Sequence, residues 1–214
     1  MKTQGTGREK TEREKTEREK TEREKTEKKA PEFLRHPIPP LFDRCSRILI
    51  LGSFPSPKSR EAAFFYGHPQ NRFWRVMAEV LEWRGAGSPE KDGPGSGAGS
   101  AVYVPRTVPE KREMLLTCGV ALWDTIASCE IVGASDSTIT NVTPNDLSVI
   151  LSQAHIRRIY CNGAKSHGLY MKYIFPVTGR EAVKLPSTSP ANAAASVAKL
   201  VEAWSCIREE LEEL

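Results

Sequence analysis

The sequence predicts an α/β fold, a three-layer α/β/α domain on a four-stranded parallel central sheet. Two observations predict it. Four short apolar runs are separated by segments with helical spacing, the alternation that builds βαβ units. The runs are also apolar at nearly every position, as expected of strands covered on both faces.

The first run, RILILG at 47–52, ends in a glycine, and RFWRVMAEVLEW at 72–83 follows with apolar residues spaced for one helical face. A helix is expected at 109–117, then a strand at 119–123 (GVALW). The segment from ThrProAsnAsp, about 145–154, predicts a helix, RRIYC at 157–161 a strand, and 164–174 another helix. A strand at 182–185 leads to a final helix expected from Pro190 to about Glu210. Two segments fall outside this pattern. Residues 1–30 contain four copies of REKTE at 8–27, with no apolar position to bury, and are expected to be a disordered or transiently helical charged tail. Residues 85–101 are rich in Gly, Ser and Pro and predict a flexible insertion within one domain spanning 31–214.

Composition narrows the function. Of the 214 residues 39% are hydrophobic, and no run approaches the ~18 apolar residues of a membrane span, so no membrane partner is expected. The five cysteines, Cys45, Cys118, Cys129, Cys161 and Cys206, contain no CxxC pair, which argues against a zinc knuckle or a disulfide framework. The net charge is +4, and the tail holds 11 Lys and Arg against 8 Glu, so the remainder is close to neutral. A nucleic-acid surface on this chain is therefore a local patch, not a global field.

Open parallel sheets bind ligands beyond the carboxyl ends of their strands. Four polar segments stand there: GSFPS at 52–56, TrpAsp at 123–124, AsnGly at 162–163 and LPSTSPAN at 185–192. In the last, Ser189 suits an N-cap and Pro190 a first helical position, which makes either an anion site or an ordinary capped helix. FFYGHPQNRFW at 64–74 gathers aromatics, a His, an Asn and an Arg. Its Asn71 either caps the next helix or holds a water, and His68 suits a turn. Asp124 ends a strand that is otherwise buried, so its carboxylate needs a hydrogen-bond donor.

In this order, GSFPS, YGHPQNRFW, LWD, NG and LPSTSPANA resemble the uracil-DNA glycosylase superfamily, and within it the hypoxanthine-DNA glycosylase branch. The resemblance spans roughly Leu34 to Leu200. It implies the uracil-DNA glycosylase-like sheet and hydrolysis of the N-glycosidic bond of a damaged base in DNA, by a monofunctional enzyme without metal or other cofactor. It implies Asn71 as the catalytic residue, because the acidic or Asn position of the first loop is Phe54 here. The His or Asn that opens the last motif is Leu185, which removes a donor used by uracil-specific members.

The chemistry needs donors near the departing base and phosphate contacts beside the sugar. Gly52, Ser53, Phe54, Pro55, Phe65, Tyr66, Asp124 and Asn162 are the expected base-binding residues, with the three aromatics receiving the flipped base. Asp124, an acceptor, would take the N1–H of hypoxanthine and repel the bare N1 of adenine. Ser56, Lys58, Ser187, Thr188 and Ser189 are the expected DNA backbone contacts. Two other readings remain open: a glycosylase for uracil or a modified pyrimidine, and a non-catalytic nucleic-acid-binding relative. DNA with a damaged base is the expected partner and a monomer the expected state. The compartment is cytoplasmic, nucleoid-associated, in a prokaryote and nuclear in a eukaryote.

Overall fold

The computed structural model describes residues 30–85, 102–132 and 138–212. The REKTE tail, save its last residue, and nearly all of the 85–101 insertion lie outside them. The central sheet consists of β2 (Ile48–Gly52), β3 (Val120–Asp124), β6 (Arg158–Asn162) and β7 (Ala182–Leu185), all parallel, in the spatial order β3-β2-β6-β7. All five residues of β2 and of β3 are buried, which is why these strands are continuous apolar runs in the sequence. The register pairs Gly52 with Asp124 and Asn162 with Leu185, so the four carboxyl ends finish nearly level. The strand order reverses at β2, and a crevice opens at such a point.

Helix α1 (Pro57–Glu61) follows β2. Helix α2 (Phe73–Val80) packs on α7 (Val197–Trp204), with the Phe73 ring edge-on to Trp204 at 5.9 Å. Helix α3 (Val108–Thr117) starts at a capping box in which Thr107 and Glu110 satisfy each other's backbone N–H groups. Helix α4 (Ser148–Leu151) is shorter than expected. Helix α5 (Ala164–Leu169) continues through a π-turn (Tyr170–Ile174) into α6 (Phe175–Thr178). Pro176 has no N–H to donate, and the ladder widens ahead of it. Helix α8 (Glu209–Glu212) closes the chain.

Two expectations need correction. The last long helix begins at Val197 with Ser196 as its N-cap, not at Pro190 with Ser189. Residues 186–195 instead form turns around Arg72, for the reason given below. The chain also builds a second sheet, antiparallel, from β1 (Glu32–Arg35), β4 (Ile126–Ile131) and β5 (Thr140–Pro144), in the order β1-β4-β5. It covers a small separate core of Phe54, Ile126, Cys129, Ile131 and Ile139. The two sheets join at Thr125, which is fully buried and anchored by its N–H and hydroxyl to the Gly52 carbonyl at 2.8 and 2.7 Å.

Candidate active site

The crevice is built from loops whose approach depends on two glycines. A Cβ on Gly52 would lie 2.1 Å from Asp124 Oδ1, so only glycine lets the carboxylate stand beside the end of β2. Gly163 has φ +97, and a Cβ there would meet Ser187 Cβ at 2.9 Å, so the 186–195 loop lies directly on the end of β6.

Asp124 is 5% exposed. Its Oδ2 accepts a 2.8 Å hydrogen bond from His36 Nε2. His36 Nδ1 accepts from the Ile38 N–H at 3.2 Å, which leaves the ring proton on Nε2 and fixes the tautomer. The His36 ring is held edge-on by Phe54 at 5.9 Å and Trp123 at 6.4 Å. The second sheet delivers it: β1 pairs with β4, and the His36 N–H bonds the Ala127 carbonyl at 2.8 Å, three residues past Asp124. This donor meets the need that the buried carboxylate announced, and sequence reasoning missed it.

On the other side of the crevice, Asn71 Oδ1 accepts from the Phe73 N–H at 3.0 Å and from Thr188 Oγ1 at 3.0 Å. Asn71 therefore caps α2 from one position outside its N-cap and is tied to the last loop as well. Thr188 Oγ1 accepts from Asn162 Nδ2 at 2.9 Å, and the Thr188 N–H donates to Asn162 Oδ1 at 3.0 Å. Asn71, Thr188 and Asn162 are thus one hydrogen-bonded chain joining the entrance to α2, the last loop and the end of β6. Both lone pairs of Asn71 Oδ1 are engaged, and its two Nδ2 hydrogens carry the amide's unspent capacity.

Arg72 organises the last loop and was likewise missed as more than a helix-entry residue. Its guanidinium donates to the carbonyls of Thr188 at 3.3 Å, Ser189 at 2.6 Å, Asn192 at 3.0 Å and Ala195. Four carbonyls turned inward onto one cation cannot point along a helix axis, so the stretch after Pro190 stays non-helical. Asn192 Nδ2 and Trp204 Nε1 add bonds to the Ser187 and Pro186 carbonyls at 2.9 and 3.0 Å.

Tyr66 lies between the two halves. Its ring stacks on Phe73 at 3.9 Å, its backbone adopts φ +51, and its buried hydroxyl has no hydrogen-bond partner. Burial first, then the Asp124 charge, pushes the phenol pKa well above its ordinary value, with the neighbouring Asn162 amide acting against the shift. The phenol therefore stays protonated.

The other expected residues divide. Ser53 and Pro55 follow β2; the Ser53 carbonyl accepts from the Ile126 N–H at 3.1 Å and the Pro55 carbonyl from Arg60 at 3.1 Å, so both hold the loop in place. Phe65 is 2% exposed and packs in the main core on Phe64, so its face does not receive a base in this conformation. Phe54 is buried under the second sheet with the Arg60 guanidinium 5.9 Å from its ring centre, and it too is a core residue. Thr188 has no exposed surface, so its hydroxyl serves the internal chain and not a phosphate. Ser187 and Ser189 are half-buried and flank it. Ser56 caps α1 through the Ser59 N–H at 3.2 Å, and Lys58 is exposed and paired with Glu61 at 2.8 Å. His68 holds a turn, accepting the Asn71 N–H at its carbonyl at 2.9 Å. Among the described residues no cluster of His, Cys, Asp and Glu has the makings of a metal site.

The model of the uracil DNA glycosylase superfamily matches residues 39–208, which include all of these loops except His36. The chain belongs to the uracil-DNA glycosylase superfamily. Among curated superfamily relatives, the hypoxanthine DNA glycosylase of Methanosarcina barkeri (strain Fusaro / DSM 804) is 31% identical over 155 residues, which is 72% of this chain and 85% of the relative. The hypoxanthine DNA glycosylase of Methanosarcina acetivorans is 28% identical over 159 residues, 74% of this chain and 89% of the relative. A solution NMR structure of a uracil DNA glycosylase candidate from Methanosarcina acetivorans superposes with a TM-score of 0.65 at 27% identity, covering 85% of this chain and 100% of its own. Both sets of relatives are archaeal. No helix among the described residues is long and apolar enough to cross a membrane.

Proposed function

We propose that this superfamily member is a DNA repair glycosylase that removes hypoxanthine from deoxyinosine, acting on a base flipped out of the helix. The observation that carries the reading is the hydrogen-bonded chain from Asn71 through Thr188 to Asn162, opposite the Asp124 carboxylate at the strand ends. Two relatives that bear the name hypoxanthine DNA glycosylase support the choice of base.

In this reading the bond from C1′ to N9 breaks, its electron pair leaves with the purine, a water oxygen bonds to C1′, and the proton that the water loses passes through solvent to the departing purine. Positive charge builds on the sugar and negative charge on the base, so the protein's part is to hold the water and offer groups to the purine. Asn71 holds the water. One of its unspent Nδ2 hydrogens donates to a lone pair of the water, which leaves the water's other lone pair to face C1′. Asp124 Oδ1 accepts the purine N1–H, and adenine, with a bare N1, is repelled. Ser187 and Ser189, with Ser56 and Lys58, hold the flanking phosphates. Flipping costs a few kcal/mol, least for a mispaired base such as hypoxanthine.

The test is a duplex carrying deoxyinosine, incubated with the protein and then with alkali. Strand scission at the lesion is expected, with a loss of at least ~100-fold in the single-turnover rate of Asn71→Ala. Binding without scission by the wild type would make the protein a non-catalytic relative, and a stronger cut at deoxyuridine would reassign the base.

A further inference from the structure

The Tyr66 hydroxyl is unusual in two respects. It is buried without a hydrogen-bond partner, a state few native polar groups keep unless something else completes them. It is also carried by a bulky residue in the left-handed region, φ +51, where a side chain beyond the β-carbon is strained. Neither feature is needed for the ring to stack on Phe73. Both make sense if the hydroxyl is held ready for a group that arrives with the substrate.

Its surroundings say which group. The Tyr66 oxygen and Asp124 Oδ1 lie 3.2 and 2.1 Å from the same point, the position of a Cβ on Gly52, so the two oxygens flank the end of β2. Asp124 Oδ2 is taken by His36, which turns Oδ1 toward this spot. One oxygen is a donor with its proton unspent and the other an acceptor. Hypoxanthine presents the complement on neighbouring atoms, a carbonyl at C6 and an N–H at N1. Adenine presents the reverse, an amino group at C6 and a bare nitrogen at N1.

We infer that the Tyr66 hydroxyl donates to the C6 carbonyl of the flipped base while Asp124 Oδ1 accepts its N1–H, so that the pair reads a keto–NH edge. The inference rests on the proposed glycosylase activity and adds to it a residue that sets specificity. Asn162, whose amide oxygen and one Nδ2 hydrogen are bonded to Thr188, positions the last loop.

Tyr66→Phe removes the oxygen and keeps the ring. Because the hydroxyl has no partner in the free protein, the variant's unfolding midpoint should match or exceed the wild type's; a hydroxyl with a structural role would lower it. Single-turnover excision of hypoxanthine should fall about 10- to 100-fold. The second readout is a duplex carrying the unsubstituted purine deoxynebularine, which lacks both the C6 oxygen and the N1 hydrogen. On this base the two proteins should differ by less than about threefold, since the hydroxyl has no carbonyl to meet. Equal rates on deoxyinosine, or the same loss on both bases, would overturn the inference while leaving a glycosylase in hand. A wild-type protein that cuts neither duplex would remove the proposed function and this inference together.

Discussion

Replacing Arg72 by lysine keeps the positive charge at the entrance to α2 and removes only the planar fork. The guanidinium serves four carbonyls spread from Thr188 to Ala195. An ammonium on a flexible stem has three donors in a compact cone and reaches about two of them. At roughly 1.5 kcal/mol for each hydrogen bond to a charged group, losing two destabilises the closed loop by about 3 kcal/mol. That corresponds to about a 150-fold larger population of the opened loop. The loss is local, because β7 before it and α7 after it are fixed by their own core residues, Leu185, Leu200 and Trp204. Hydrogen exchange therefore measures it best: the amides of Thr188 and Asn192, bonded to Asn162 Oδ1 and the Ser189 carbonyl, should exchange about 100-fold faster than in the wild type, while those of β2 change little. Excision should fall with them, since Thr188 is the link between Asn71 and Asn162. Unchanged exchange at 188 and 192 would refute the argument that one cation shapes this loop.

Two further outcomes follow from the same geometry. Thr188→Val deletes the hydroxyl that bridges Asn71 and Asn162 inside a fully buried site, so equilibrium urea unfolding should report a loss of about 2–3 kcal/mol; a variant as stable as the wild type would mean the bridge contributes nothing. His36→Ala leaves the buried Asp124 carboxylate without its donor and should cost about 2–4 kcal/mol, most of it absent when Asp124→Asn is already in place. Additive losses in that double-mutant cycle would show that the pair is not coupled.

The parallel sheet is legible because burial on both faces forces a continuous apolar run, and the four runs lie within about one residue of β2, β3, β6 and β7. The antiparallel sheet is not. Its β1 is EFLR with three of four residues exposed, β5 is TNVTP with three of five exposed, and the register of β4 against β5 is broken by bulges. Such strands carry neither an apolar run nor a clean alternation. The position of Asp124 announces that a donor is required, but the donor comes from a stretch with Pro31, Pro37, Pro39 and Pro40, whose composition resembles a linker. A His beside prolines gains significance only when the need of a carboxylate 88 residues away is considered with it. The Ser189-Pro190 pair misleads for a different reason. It has the local chemistry of a helix start, and Arg72, more than 100 residues earlier, overrides it by demanding the loop's carbonyls.

The side chains of the crevice share a division of labour that local sequence does not reveal. Asp124 gives one oxygen to His36, Asn71 gives its oxygen to Phe73 and Thr188, and Asn162 gives its oxygen and one Nδ2 hydrogen to Thr188. What each keeps back is Asp124 Oδ1, the Asn71 Nδ2 hydrogens and one Nδ2 hydrogen of Asn162, and the Tyr66 hydroxyl is unspent as well. Every unspent group is therefore held by a neighbour that is itself bonded, and its direction is set before a substrate enters. This matters most where the residue proposed to hold the water is an amide with no basicity to lend. An amide accelerates hydrolysis only by where it holds water, so its orientation must be fixed by the scaffold. The Arg72-bound loop does that fixing through Thr188, and the second sheet, through His36, fixes Asp124 in the same way. Loosening the His36 wall should lower the rate of excision more than the affinity for DNA, whereas loosening the Arg72-bound loop, which carries Ser187 and Ser189 on either side of Thr188, should weaken both.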